Sequence, residues 1–154
     1  MVQEAKGIGI GISNLETLSG GNGSDTFSGN GIGGDSGIDP GLAAGHLRGG
    51  DGTGISNSGL IDAGAGDNFF YAIGTGGNNN GEGAAFSYNS GDGIGIFNTG
   101  TIKAGANDDS IFATGMGGNS QGSTEFPDSD ANGGGGGIGI FNEGILNLGR
   151  GNDF

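Results

Sequence analysis

The chain has 154 residues, of which 43 are Gly, two are Pro and none is Cys, and only 31% are hydrophobic. This composition excludes a thick globular core, a disulfide framework and a thiol-ligated metal site, and the lack of a strict glycine triplet excludes collagen. Seventeen acidic residues against four basic ones (Lys6, Arg48, Lys103, Arg150) give a formal charge of −13, a surface that repels nucleic acid and anionic lipid. Such acidity fits a cation-binding role, and equally a plain solubilising one.

Met1–Lys6 is a short lead-in without glycine. From there the chain repeats itself. Residues 9–29 read GIGISNLETLSGGNGSDTFSG, 52–74 read GTGISNSGLIDAGAGDNFFYAIG, 93–115 read GIGIFNTGTIKAGANDDSIFATG, and 137–154 read GIGIFNEGILNLGRGNDF. The anchoring asparagines are Asn14, Asn57, Asn98 and Asn142, separated by 43, 41 and 44 residues. A period in this range marks a solenoid, propeller or array in which each repeat covers its neighbour's apolar face. The repeats span 7–51, 52–92, 93–136 and 137–154 within one domain, 1–154.

Each column of the repeat has a physical meaning. Ile12, Ile55, Ile96 and Ile140 stand two residues before the asparagine, and Leu18, Ile61, Ile102 and Leu146 four after it. Phe27, Phe70 and Ile111 stand thirteen after it. Apolar residues alternate in short runs, Ile94/Ile96, Ile102/Ala104 and Ile111/Ala113, broken by Gly, Asn and Asp. A period of two predicts short strands, over 94–98, 101–104 and 110–114 and their equivalents, with almost no helix. Stacked like on like at ~4.8 Å, the strands build an inner isoleucine ladder and a corner asparagine ladder bonded to itself and to turn backbone. The expected fold is all-β, a parallel β-solenoid (β-helix) of about four rungs of ~42 residues.

Three Gly-rich insertions, 30–51, 75–92 and 116–136, fall at corresponding places and differ in sequence, as loops projecting from one edge of a scaffold do. Sequence alone leaves their conformation open. His46, the single histidine, has no partner for catalysis or metal binding and reads as a solvated loop residue. Glu125, Asp128 and Asp130 read as an exposed acidic turn, and Phe86 and Tyr88 as loop packing. No Gly-x-Gly segment is followed by Lys-Ser/Thr and a helix, and no nucleophile–base–acid set can be assembled, so the expectation is a protein without enzymatic activity.

The chemistry is expected at the third corner. Residues 20–28, GGNGSDTFS, fit the nonapeptide G-G-x-G-x-D-x-U-x with Asp25 at the acid position. Asn68, Asp109 and Asp153 fill that position in 63–71 (AGAGDNFFY), 104–112 (AGANDDSIF) and 148–154 (LGRGNDF), with Asp67 and Asp108 just before it in the middle two. This block resembles the hemolysin-type (RTX) calcium-binding repeat, and G-I-x-N-x-G-x-I resembles repeats of bacterial adhesin and autotransporter-like solenoids. The resemblance covers the four scaffold blocks and none of the insertions. It implies Ca²⁺ held by Asp25, Asp67, Asn68, Asp108, Asp109 and Asp153 with turn carbonyls. RTX nonapeptides run in tandem, whereas here one such corner recurs per repeat, so one calcium column fits and a two-sided roll does not. Independently, stacked Asp109 and Asp153 repel, and a hard divalent ion relieves that. The alternative is that Asp and Asn stand there because they make Asx turns and tolerate left-handed backbone.

Two function classes follow: an extracellular or cell-surface structural unit such as a fibre, surface layer or adhesin stalk, or a module binding ice or polysaccharide. Ice binding wants regular rows of outward Thr, but Thr99 and Thr101 mix with Ser58, Leu60, Glu143 and Ile145. The structural class is preferred. The expected partners are calcium and other copies of the chain, stacked head to tail into a filament, with Met1–Lys6 filling the space beside the short fourth repeat. Neither nucleic acid nor membrane insertion is expected. No stretch reaches membrane-spanning length and residues 1–18 lack a signal-peptide core, which leaves another export route, a removed leader, or a piece of a longer solenoid.

Overall fold

A computed structural model describes residues 7–36, 48–80, 89–120 and 133–154. Met1–Lys6, His46, Phe86, Tyr88, Glu125, Asp128 and Asp130 lie outside the described residues. Among the described residues there is no helix, and therefore none long and apolar enough to cross a membrane.

The first repeat folds as β1 (Gly9–Asn14), β2 (Thr17–Ser19) and β3 (Thr26–Ile32). The second gives β4 (Gly52–Asn57), β5 (Leu60–Asp62) and β6 (Phe69–Thr75), and the third β7 (Gly93–Asn98), β8 (Thr101–Lys103) and β9 (Ser110–Met116). The fourth supplies β10 (Gly137–Asn142) and β11 (Ile145–Asn147). These form three parallel sheets, β1-β4-β7-β10, β2-β5-β8-β11 and β3-β6-β9, the first two taking one strand from each of the four repeats and the third one from each of the first three. The all-β, parallel architecture expected from the period-two pattern is the one observed, and it is compatible with a solenoid. Phe154 extends the third sheet without forming a strand, accepting a bond from Ile111 N–H and donating its own to Asp109 O.

Pairing is in register, like on like. Ile12, Ile55, Ile96 and Ile140 form one column, Leu18, Ile61, Ile102 and Leu146 another, and Phe27, Phe70 and Ile111 a third. The core is one thin stack of these residues with Ala63, Ala72 and Ala104, from which the exposed Ile140 of the fourth repeat is absent. Within it the Phe27 and Phe70 rings lie nearly parallel, with centroids 4.9 Å apart. So few side chains per repeat suffice that a chain poor in hydrophobic residues still closes a core.

One detail corrects the simple alternation. Ile94 and Ile96 were expected on one face, but Ile96 is buried while Ile94 is half-buried, and its counterparts Ile10 and Ile138 are exposed. Pairing in the first sheet skips Gly11 and its equivalents, which breaks the two-residue period. The glycines take the inner positions because the first and third sheets touch there backbone to backbone. A Cβ on Gly74 would run into the carbonyl oxygen of Ile94, so an inward side chain has no room.

The insertions begin and end as packed arms rather than loose loops. Gly34 N–H donates to Gly7 O (2.9 Å), Gly50 to Gly34 (2.8 Å), Gly77 to Gly50 (2.8 Å) and Gly91 to Gly77 (2.9 Å). Gly118 then donates to Gly91 (2.9 Å) and Gly135 to Gly118 (3.0 Å). Outgoing and returning arms therefore alternate in one continuous zigzag. A Cβ on Gly91 would collide with Gly50 O, which is why the arms are glycine.

Candidate metal-binding column

Two corners of each repeat are built from Asx side chains, and they work differently. At the end of the first strand the asparagines bond to one another. Asn14 Nδ2 donates to Asn57 Oδ1, Asn57 Nδ2 to Asn98 Oδ1, and Asn98 Nδ2 to Asn142 Oδ1, each at 2.7 Å. Each Nδ2 also donates to a carbonyl of the next repeat: Leu60 O at 3.0 Å, Thr101 O at 3.1 Å and Ile145 O at 3.1 Å. Asn57 and Asn98 are fully buried, so these bonds replace water that cannot reach them. The expected asparagine ladder is present, and it has a direction.

At the third corner Asp25, Asn68, Asp109 and Asp153 form the second column. Here the side-chain oxygen of one repeat accepts the backbone N–H of the repeat before it. Asn68 Oδ1 accepts from Asp25 N–H (2.9 Å), Asp109 Oδ1 from Asn68 N–H (2.7 Å), and Asp153 Oδ1 from Asp109 N–H (3.0 Å). Asn68 also spends its amide hydrogens, donating from Nδ2 to Gly66 O and Ala104 O, both at 2.9 Å. The site thus has one donor to satisfy and two carbonyl acceptors beside it.

An aspartate meets only half of that demand. Asp109 is 0% exposed, yet its Oδ2 has no hydrogen-bond partner, and the buried Oδ2 of Asp25 has none either. By the repeat, Asp109 Oδ2 takes the place of Asn68 Nδ2, which in Asn68 faces carbonyl oxygens. In the first repeat a Cβ on Gly20 would lie 2.5 Å from Asp25 Oδ2 and 2.6 Å from Ala63 O, so both oxygens converge on one space. Among the described residues neither carboxylate has an ion-pair partner. A buried oxygen pair of this kind calls for a positive partner, because an unmatched charged acceptor is more costly than an unmatched neutral one.

Asp67 and Asp108 belong to a different, exposed column. Its oxygens accept in the opposite direction, from the following repeat: Asp67 Oδ1 from Asp108 N–H (3.2 Å) and Asp108 Oδ1 from Asn152 N–H (2.7 Å). The six candidate ligands are therefore split between an inner and an outer column. The turn beside them needs left-handed backbone. Gly23, Gly66 and Asn107 have φ of 101°, 119° and 86°, and Asn is the residue besides Gly that adopts this region most readily. Among the described residues no three His, Cys, Asp or Glu side chains cluster closely enough to hold an ion by themselves, so a cation here would draw on carbonyl oxygens.

Two further Asx columns lie on the arms. Asp35 Oδ1 accepts Asn78 N–H (2.7 Å), and Asn78 Oδ1 accepts Asn119 N–H (2.8 Å). Asp51 Oδ1 accepts Asp92 N–H (2.8 Å), and Asp92 Oδ1 accepts Gly136 N–H (2.6 Å). Arg48 bridges Asp51 and Asp92, with Nη2 2.9 Å and 3.0 Å from their carboxylates. The signal was present: residues 35, 78 and 119 each stand 21 after their repeat's asparagine, and Asp51 and Asp92 each six before. The variable insertion sequences around them hid it. No protein-family model matches this chain, and no curated protein or solved structure matches it either.

Proposed function

We propose that the chain is a single parallel β-solenoid domain of about four rungs, offset by 41 to 44 residues, acting as an extracellular or cell-surface structural protein. Copies stack head to tail into a filament or surface layer, and calcium stabilises the third corner. The observation that carries the assembly is the direction of the asparagine ladder. Among the described residues, Asn14 Oδ1 has no donor, and at the other end Asn142 Nδ2 donates only to Gly144 O at 3.1 Å. One end of the stack therefore offers an acceptor and the other a donor, which is the complementarity of a heterologous, non-closing contact. Exposed strand edges and Ile140 at the fourth repeat add unpaired backbone and apolar surface to the same contact.

Calcium at Asp25 and Asp109 is supported by the two buried carboxylate oxygens without partners and by the carbonyl oxygens beside them, since hard cations take mixed carboxylate and carbonyl sets. Asn68 in the same column needs no ion, having its own amide hydrogens. Sedimentation velocity with calcium and with chelator tests the whole proposal. Species that grow with concentration in calcium, and that disappear in Asn14→Leu and Asn142→Leu, are the expected result. A particle that stays at 14.8 kDa overturns the stacking and leaves the end faces to a further repeat of the same chain.

A further inference from the structure

Among the described residues, nothing covers the outer face of the third sheet. Its strands alternate, so Phe70, Ala72 and Gly74 point inward while Phe69, Tyr71, Ile73 and Thr75 point outward. Ile32, Phe112 and Met116 continue the outward set in the neighbouring strands, and the remaining outward positions are Thr, Ser or Asn. Phe112 is 49% exposed and Ile32 63%. In a chain of charge −13, none of the 17 acidic residues lies in β3, β6 or β9. Among the described residues charge is confined to corners, arms and the second sheet, and this face is uncharged, with its apolar side chains set among Thr, Ser and Asn.

We infer that this face is a lateral self-association surface that packs on the same face of a second copy. The occupant follows from charge and ring geometry. Nucleic acid and anionic membranes are repelled by the acidic rim. A polysaccharide would need free ring faces, but these rings face one another. Tyr71 and Phe112 are register partners with centroids 5.2 Å apart and planes at 9°, and Phe69 stands 6.1 Å from Tyr71. The stacked rings, with Ile and Met beside them, are the kind of knobs that interdigitate when two sheets pack about 10 Å apart. A face used by both copies makes an isologous pair. Neutral surface against neutral surface also keeps the two acidic rims at the periphery.

Three strands of seven residues cover on the order of 300 Å² per copy, well below a standard interface, so the association is weak and concentration-dependent. Salt strengthens it by screening the rims. This contact does not depend on head-to-tail stacking, which covers other surfaces.

The chain has no cysteine, so one introduced thiol reports on one face. Thr75→Cys lies in the middle strand of the third sheet and Thr53→Cys in a middle strand of the first. Maleimide labelling of T75C is expected to slow several-fold between ~10 µM and ~1 mM protein, more so in added salt, while T53C labels at one rate throughout. Adding Phe112→Lys to T75C restores fast labelling, with circular dichroism confirming the fold. A T75C rate independent of concentration overturns the inference, and so does equal protection of T53C. End-to-end stacking alone changes neither thiol, because both sit in the second repeat.

Discussion

Asn68 and Asp109 occupy one position in successive repeats and differ by an amide nitrogen against an oxygen. That nitrogen donates to Gly66 O and Ala104 O, whereas Asp109 Oδ2 has no partner. Replacing Asp25 and Asp109 together by Asn is therefore expected to raise the calcium-free stability by about 1–3 kcal/mol per site, the cost of an orphaned buried group. The same change should abolish the calcium-dependent rise in melting temperature that the proposed calcium site predicts for the wild-type chain by mass action. Thermal melts with calcium and with chelator decide it, and a variant that melts lower than wild type in chelator contradicts the role assigned to Oδ2. In the other column, Asn98→Leu takes the donor from Asn142 Oδ1 and leaves Asn57 Nδ2 only its backbone acceptors, Thr101 O and Gly59 O. It should cost about 2–4 kcal/mol by denaturant titration, clearly more than Asn142→Leu at the exposed end. Equal costs for the two would mean that the ladder is incidental. Both columns were legible in the sequence because Asx recurred at a fixed offset from hydrophobic landmarks. Which side chains turn inward was not legible: Asp108 and Asp109 are neighbours of the same type, and only the strand that follows sends one in and one out.

The strands were the most legible elements, since alternation and recurrence both reported them. Their lengths and the orientation of the first strand were less so. The observed β9, Ser110–Met116, runs two residues beyond the expected 110–114, and Ile94 faces outward because glycines occupy the inter-sheet contact. Alternation in hydrophobicity cannot reveal a surface where a glycine meets the backbone of its partner, such as Gly74 against Ile94 O, because no side chain makes the contact. The arms were illegible for the same reason, since Gly-rich composition looks alike whether packed or loose. They can be told apart by substitution. Gly91→Ala places a methyl group against Gly50 O, while at Gly133 the nearest atom to an added Cβ is Asn89 Oδ1 at 3.5 Å, an ordinary contact. G91A is expected to lose about 1–3 kcal/mol and G133A to stay within about 0.5 kcal/mol of wild type. Matching melting temperatures for the two variants would show that the arm zigzag does not contribute to stability.

Across the whole molecule, each repeat contacts chiefly the repeats on either side of it, so stability behaves as a sum of repeats and the interfaces between them. Removing residues 52–92 joins the first repeat to the third, and every column remains continuous: Ile12 meets Ile96 and Asn14 meets Asn98. The shortened chain should keep its strand content by circular dichroism and unfold at a lower denaturant midpoint, whereas a collapse to an unfolded chain would imply non-neighbour contacts. The proposed head-to-tail assembly extends the same logic beyond one copy, the next copy being added as the chain adds its next repeat. Cryo-electron microscopy of the calcium-loaded protein tests that claim most directly. Filaments with an axial rise of about 19 Å per copy, four rungs at ~4.8 Å, are the predicted result; monodisperse 14.8 kDa particles at millimolar concentration would contradict it.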